Sequence, residues 1–193
     1  MIYRDDDIDE RDGMVYHINE SDQLVFLSDN WNHFAEKNAG APLDLLGQTI
    51  WDFIANDDLI AIYQEICHLV RKEQKPVSFD FRCDSPRKAL FLKMNILPLE
   101  NQYLEFRTQP IHEEAHAYYP LLDSKAPRQG ELMRICSNCK ALWVNDRWLA
   151  LDEAVAVLQL LQQKNVPQLT HGLCECCYQT FREEIVKLHS AAG

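Results

Sequence analysis

Between residues 77 and 83 apolar and polar side chains alternate strictly: Val77, Phe79, Phe81 and Cys83 against Ser78, Asp80 and Arg82. A period of two is what a β-strand with one buried face requires. The turn "DSPRK", the apolar run "ALFLKMNILP", the turn "LENQ" and the run "YLEFRTQP" follow, which predicts a three-stranded antiparallel meander. Before Pro76 the period is different. In "DLIAIYQEICHLVRKEQ" the apolar residues Leu59, Ile62, Tyr63, Ile66, Leu69 and Val70 recur at intervals of three and four, the stripe of an amphipathic helix, with Asp57 and Asp58 placed to cap it. Upstream, "QLVFLSDNW" predicts a short strand, and "NWNHFAEKNAG" a helical stretch stopped by Gly40 and Pro42.

Residues 113–130, "EEAHAYYPLLDSKAPRQG", hold no sustained period and contain Pro120, Pro127 and Gly130, so they are expected to be a linker. Beyond it, "ALWVNDRWLA" predicts a hairpin turning at Asn145-Asp146. "LALDEAVAVLQLLQQK" predicts a helix with Leu151, Val155, Leu158 and Leu161 on one stripe, and "CYQTFREEIVKLH" a second with Tyr178, Phe181, Ile185 and Leu188 inward. The chain thus divides into an acidic segment 1–14, a mixed domain 15–112, the linker 113–130 and a cysteine-rich module 131–193, an α+β protein overall.

Residues 15–112 resemble a PAS domain. The resemblance rests on "LVFLSDNWNHFAEKN", on "LLGQTIWDFIANDD" with Gly47 and Trp51 ahead of the long helix, and on the closing meander. It implies a five-stranded antiparallel sheet with helices on one face, and a sensor or interaction role. It also implies a small cavity, for which Trp31, Phe34, Trp51, Phe53, Phe79 and Phe81 are the candidate lining residues. The ligand is not specified by the resemblance. A haem would need an axial histidine, for which His33 and His68 are the interior candidates, and the asparagine-cysteine-arginine motif of covalent flavin photochemistry does not occur. His68 near a helix C-terminus reads more simply as a solvent-facing cation, and Cys67 and Cys83 as core residues.

Composition changes the picture at one place. Seven cysteines in 193 residues are too many to ignore and odd in number, and the acidic N-terminus has no apolar leader, so a reducing cytoplasm is expected and a disulfide framework is not. No apolar run approaches the roughly 20 residues that span a bilayer. Four cysteines form two pairs, Cys136-x2-Cys139 and Cys174-x2-Cys177, separated by 34 residues. A C-x2-C turn converges two thiolates on one ion, and two such knuckles complete a tetrahedron of soft ligands that selects zinc, in a structural role because no coordination position stays open. A redox pair of thioredoxin type would need one pair only, at a helix N-terminus after a strand. His171, three residues before Cys174, and Cys176, adjoining Cys177, are alternative ligands.

This half resembles a cysteine-rich tail found after PAS or receiver domains in bacterial signalling proteins, on the pattern "CSxCK", a tryptophan-containing hairpin, a helix and "HGxCxxC". Cys136, Cys139, Lys140, Trp148, His171, Gly172, Cys174 and Cys177 carry the match. Glu175 stands where those tails have proline, and the thiol of Cys176 is additional.

The formal net charge is −11, with 13 Lys+Arg against 23 Asp+Glu in residues 1–130 and 6 against 7 in residues 131–193. Neither part offers the basic surface that neutralises phosphates, so no nucleic-acid partner is expected. Phosphate-binding loops, nucleophile elbows and kinase motifs are absent from the sequence. The expectation is a non-catalytic cytoplasmic signalling protein that acts on a protein effector, takes a small-molecule ligand or pairs with a second copy through its PAS-like domain. The alternatives are a thiol switch that releases zinc on oxidation, and a zinc-dependent transcription regulator.

Overall fold

The computed structural model describes residues 13–29, 31, 45–54, 56–162 and 165–190. The expected helix in "NWNHFAEKNAG", with His33 and Phe34, and nearly all of the acidic segment 1–14 lie outside them. The described residues are α+β and form two sheets. The first contains β1 (Val15–Ile18), β2 (Leu24–Leu27), β3 (Val77–Arg82), β4 (Lys88–Pro98) and β5 (Leu104–Ala115), in the order β2-β1-β5-β4-β3 and antiparallel throughout. Alternation in β3 turns Val77 and Phe79 inward, beside Met94 and Ile96 of β4 and Leu104 and Phe106 of β5.

Helix α1 (Asp57–Glu73) lays Ile62, Ile66, Leu69 and Val70 on this face. Its cap is Asn56, whose side chain accepts the Leu59 N–H at 2.8 Å; Asp57 and Asp58 occupy the first turn, where their charge meets the positive end of the helix dipole. Arg71 in the last turn donates to Asp22 at 2.7 Å and to the Asn19 carbonyl at 2.9 Å, tying the helix to the β1–β2 turn.

The second sheet has the order β8-β7-β6-β9. Strands β7 (Leu142–Val144) and β8 (Arg147–Leu149) are the expected hairpin, and Asn145 and Asp146 both have positive φ, 49° and 60°, as a two-residue type I′ turn demands. The flanking strands β6 (Arg128–Cys136) and β9 (Val166–Gly172) pair in parallel and were not evident in the sequence. β6 contains Gly130, and its buried positions, Ile135 and Cys136, are adjacent at its end rather than alternating. β9 contains Pro167, tolerated because β9 is an edge. The helix expected over "LALDEAVAVLQLLQQK" ends early: α2 spans Leu151–Val157, Gln159 adopts φ 51°, and a 3-10 turn covers Leu160–Gln162.

Two further differences concern how the parts join. The stretch 113–130, expected as a linker, is ordered by contacts that no local period reports. β5 runs to Ala115, Tyr119 and Leu121 are buried in the second core, and the Arg128 guanidinium donates to the carbonyls of Leu121, Asp123 and Pro167. The last helix, α3 (Glu175–Ser190), packs within the cysteine-rich part only at its first turn, through Cys177. Phe181, Ile185 and Leu188 enter the core of the first sheet, with the Phe181 ring 4.9 Å from Phe79 at 73° and 6.0 Å from Tyr63. Tyr178, expected on the same inner stripe, is exposed, because the helix turns Cys177 inward at that level. Arg182 pairs with Glu65 of α1 at 2.8 Å.

Candidate metal centre

The first cysteine pair lies in the β6–β7 turn. Cys136 ends β6, its N–H donates to the Ala141 carbonyl at 2.7 Å, and the Lys140 N–H donates back to the Cys136 carbonyl at 3.0 Å. Closing so tight a turn puts Lys140 in the left-handed region at φ 64°. The second pair lies where β9 passes into α3: Cys174 precedes the helix, Cys177 sits in its first turn, and the Cys177 N–H donates to Cys174 Sγ at 3.4 Å. Helix N–H groups with no intrahelical partner give that end a partial positive charge, which favours thiolates.

Parallel pairing of β6 with β9 brings the pairs together. It sets Cys136 opposite Gly172, so both strands deliver their cysteines to the same end of the sheet, and the 34 intervening residues are consumed by β7, β8, α2 and β9. Ser137 N–H donates to the Gly172 carbonyl at 2.9 Å, and Cys174 N–H to Cys136 Sγ at 3.4 Å. The sulfurs of Cys136, Cys139, Cys174 and Cys177 all lie within 4.8 Å of one another, close enough to hold a metal ion. Four bonds of about 2.3 Å at the tetrahedral angle require sulfur–sulfur edges of about 3.8 Å. Cys139 Sγ and Cys174 Sγ are 3.7 Å apart, near that value and far too distant for a disulfide.

Donation from the Cys139 and Cys177 thiols pulls Cys136 far below the ordinary thiol range, while the same contact holds Cys139 up at about 12 and raises Cys177 as well. A divalent cation bound there would neutralise several thiolates at once. The amide of Asn138 donates to Cys177 Sγ at 3.4 Å and opposes the rise there.

The two alternative ligands stand outside the cluster. His171 is exposed on β9, and its imidazole is disfavoured as a cation by partial burial and by the charge of Lys140. Cys176 is exposed on the outer side of α3. Asn138 was missed by sequence reasoning; its only signal was its position between the two cysteines of the first pair.

The residues suggested for a ligand cavity do not share one environment. Phe79 is buried against Tyr63 and Phe181, so α3 fills the space beside it. Trp31 meets Tyr16 edge to face at 5.9 Å, Trp51 Nε1 donates to Asp22 at 3.0 Å, and Phe81 is half-buried at the rim of the core. Phe53 is 46% exposed and lines no interior, and Phe34 lies outside the described residues. His68 faces solvent, and Cys67 is buried in the core. Among the described residues no helix is long and apolar enough to cross a membrane. A scan against protein-family models gives no match to this chain, and a search of the curated proteins gives none either.

Proposed function

We propose that the protein is a non-catalytic cytoplasmic signalling protein in which a PAS-like domain is built onto a structural zinc centre at Cys136, Cys139, Cys174 and Cys177. The observation that carries the zinc assignment is the convergence of four thiols from two C-x2-C knuckles, an all-sulfur set that suits a soft, tetrahedral ion and leaves no position for substrate. The PAS-like reading is supported by the antiparallel five-stranded sheet with α1 and α3 on one face. The zinc would hold the β6–β7 turn against the start of α3, and its binding energy would count toward folding of the small second core. Elemental analysis and an absorption spectrum of the purified chain test both parts: one zinc per chain is expected, and a Soret or flavin band would give the sensor a cofactor.

A thiol switch is the second reading, favoured by one observation: Cys176 is exposed directly beside a ligand, whereas the four clustered sulfurs are buried or half-buried. In that reading hydrogen peroxide takes an electron pair from two thiolates, its O–O bond breaks as one S–S bond forms, two protons from solvent complete two waters, and the ion is released. Peroxide-driven zinc release followed with a zinc-sensitive dye should slow in Cys176→Ser; equal rates in both proteins would remove this thiol from the mechanism.

A further inference from the structure

Asn138 stands between the four sulfurs and the first sheet. Its Nδ2 donates to Cys177 Sγ at 3.4 Å and to the Asp80 carbonyl at 3.3 Å, and its own carbonyl accepts the Arg82 N–H at 2.8 Å. β3 is an edge strand, so Asp80 and Arg82 offer main-chain groups on the side away from β4. The first knuckle satisfies them as a neighbouring strand would. The second knuckle reaches the same sheet by another route, since Cys177 opens α3 and, from one turn further on, Phe181, Ile185 and Leu188 complete the core over α1 and β3.

We infer that metal occupancy latches the first knuckle and α3 onto the first sheet, so that losing the ion uncovers the apolar face formed by α1 and β3, with Asn138 as the positioning residue that joins the two. The inference rests on the reading of the four cysteines as a zinc site. Its physical basis is that both attachments begin at the cluster. A 16-residue helix is marginal in water by itself. α3 is held by the packing of three side chains, by the Arg182–Glu65 ion pair and by the fixed position of its first turn, and the ion fixes that turn. The knuckle depends on the same ion for its tight backbone, including the left-handed Lys140. Coupling of this kind is reciprocal: whatever strengthens the seat of α3 raises metal affinity by the same factor, and whatever loosens it lowers metal affinity. Ile185 lies two turns from Cys177 and touches no sulfur ligand through its position on the helix, yet it belongs to this linkage.

The test uses the full chain. Zinc content is measured first; amide hydrogen exchange over residues 77–83 and binding of an apolar-surface dye are then followed with zinc bound and after chelation. Exchange at the Arg82 amide should accelerate at least tenfold on chelation and dye fluorescence should rise severalfold. Ile185→Ala should keep one zinc per chain but bind it severalfold more weakly in competition with a chelator, and Asn138→Ala should shrink the metal dependence of Arg82 exchange. A chain that binds one zinc but shows unchanged exchange and dye binding after chelation overturns the latch and leaves the zinc site standing. A chain that takes up no zinc overturns both.

Discussion

The two sheets are held together by different physics. Around the first, Ile18, Ile66, Val70, Ile96, Leu104 and Phe106 are fully or almost fully buried, and long antiparallel ladders join β3, β4 and β5. Around the second, the hairpin strands are three residues each, β6 meets β7 at a single registered pair, and a cluster of four sulfurs occupies the end where more apolar side chains would otherwise be needed. Small cores that cannot bury enough surface recruit metal or disulfide staples. The comparison teaches that a metal held at the four cysteines would also serve the larger sheet, because the helix that carries Cys177 enters the other core.

The comparison breaks most severely at the cysteines. Cys136→Ser, Cys139→Ser or Cys177→Ser should lower zinc content from one per chain to near zero and melt the second sheet, read by elemental analysis and far-ultraviolet circular dichroism, since binding free energy of about 10 kcal/mol or more is at stake. Cys176→Ser should retain the ion, and zinc loss there would reassign the fourth ligand. Next in size, Phe181→Ala should cost about 3–5 kcal/mol in denaturant unfolding, because it opens a cavity against Phe79 and Tyr63. If the sheets were independent, the substitution would destabilise the first sheet and leave unfolding of the second unchanged.

A smaller effect depends on pH. Burial pushes the Cys67 thiol up to about 12 from 9.0. A raised folded value means that its contribution is complete below the unfolded pKa and is lost as pH climbs from about 9 toward 12, at up to about 1.4 kcal/mol per unit. Stability of the zinc-loaded chain should therefore fall between pH 9 and 11, and less so in Cys67→Ala or Cys67→Val, compared each at its own maximum. The smallest effect is at the hairpin: Asp146→Gly should stabilise by up to about 1 kcal/mol, as glycine suits φ 60° better than aspartate.

Periodicity carried most of the first sheet's meander and α1, because Val77–Cys83 and Leu59–Val70 each bury one face and repeat often enough to be counted. Spacing carried the four clustered cysteines, since C-x2-C is a local geometric requirement. What stayed hidden was non-local. β6 and β9 are stabilised by each other across a crossover, and neither shows an alternating pattern of its own. Phe181, Ile185 and Leu188 were read correctly as one apolar stripe, but a stripe does not name the surface it meets. The same limit applies to 113–130, where Tyr119 and Leu121 anchor a segment whose composition resembles a loop.

The position of α3 in the chain also bears on synthesis. Phe79 leaves the ribosome about a hundred residues before Phe181, the ring that packs against it. At roughly 5–20 residues per second, Phe79 waits on the order of 5–20 seconds for the ring that completes its surroundings. During that interval the apolar side of β3 and α1 is a target for chaperones and for neighbouring nascent chains, so aggregation during expression should depend on how promptly the final helix finds its place.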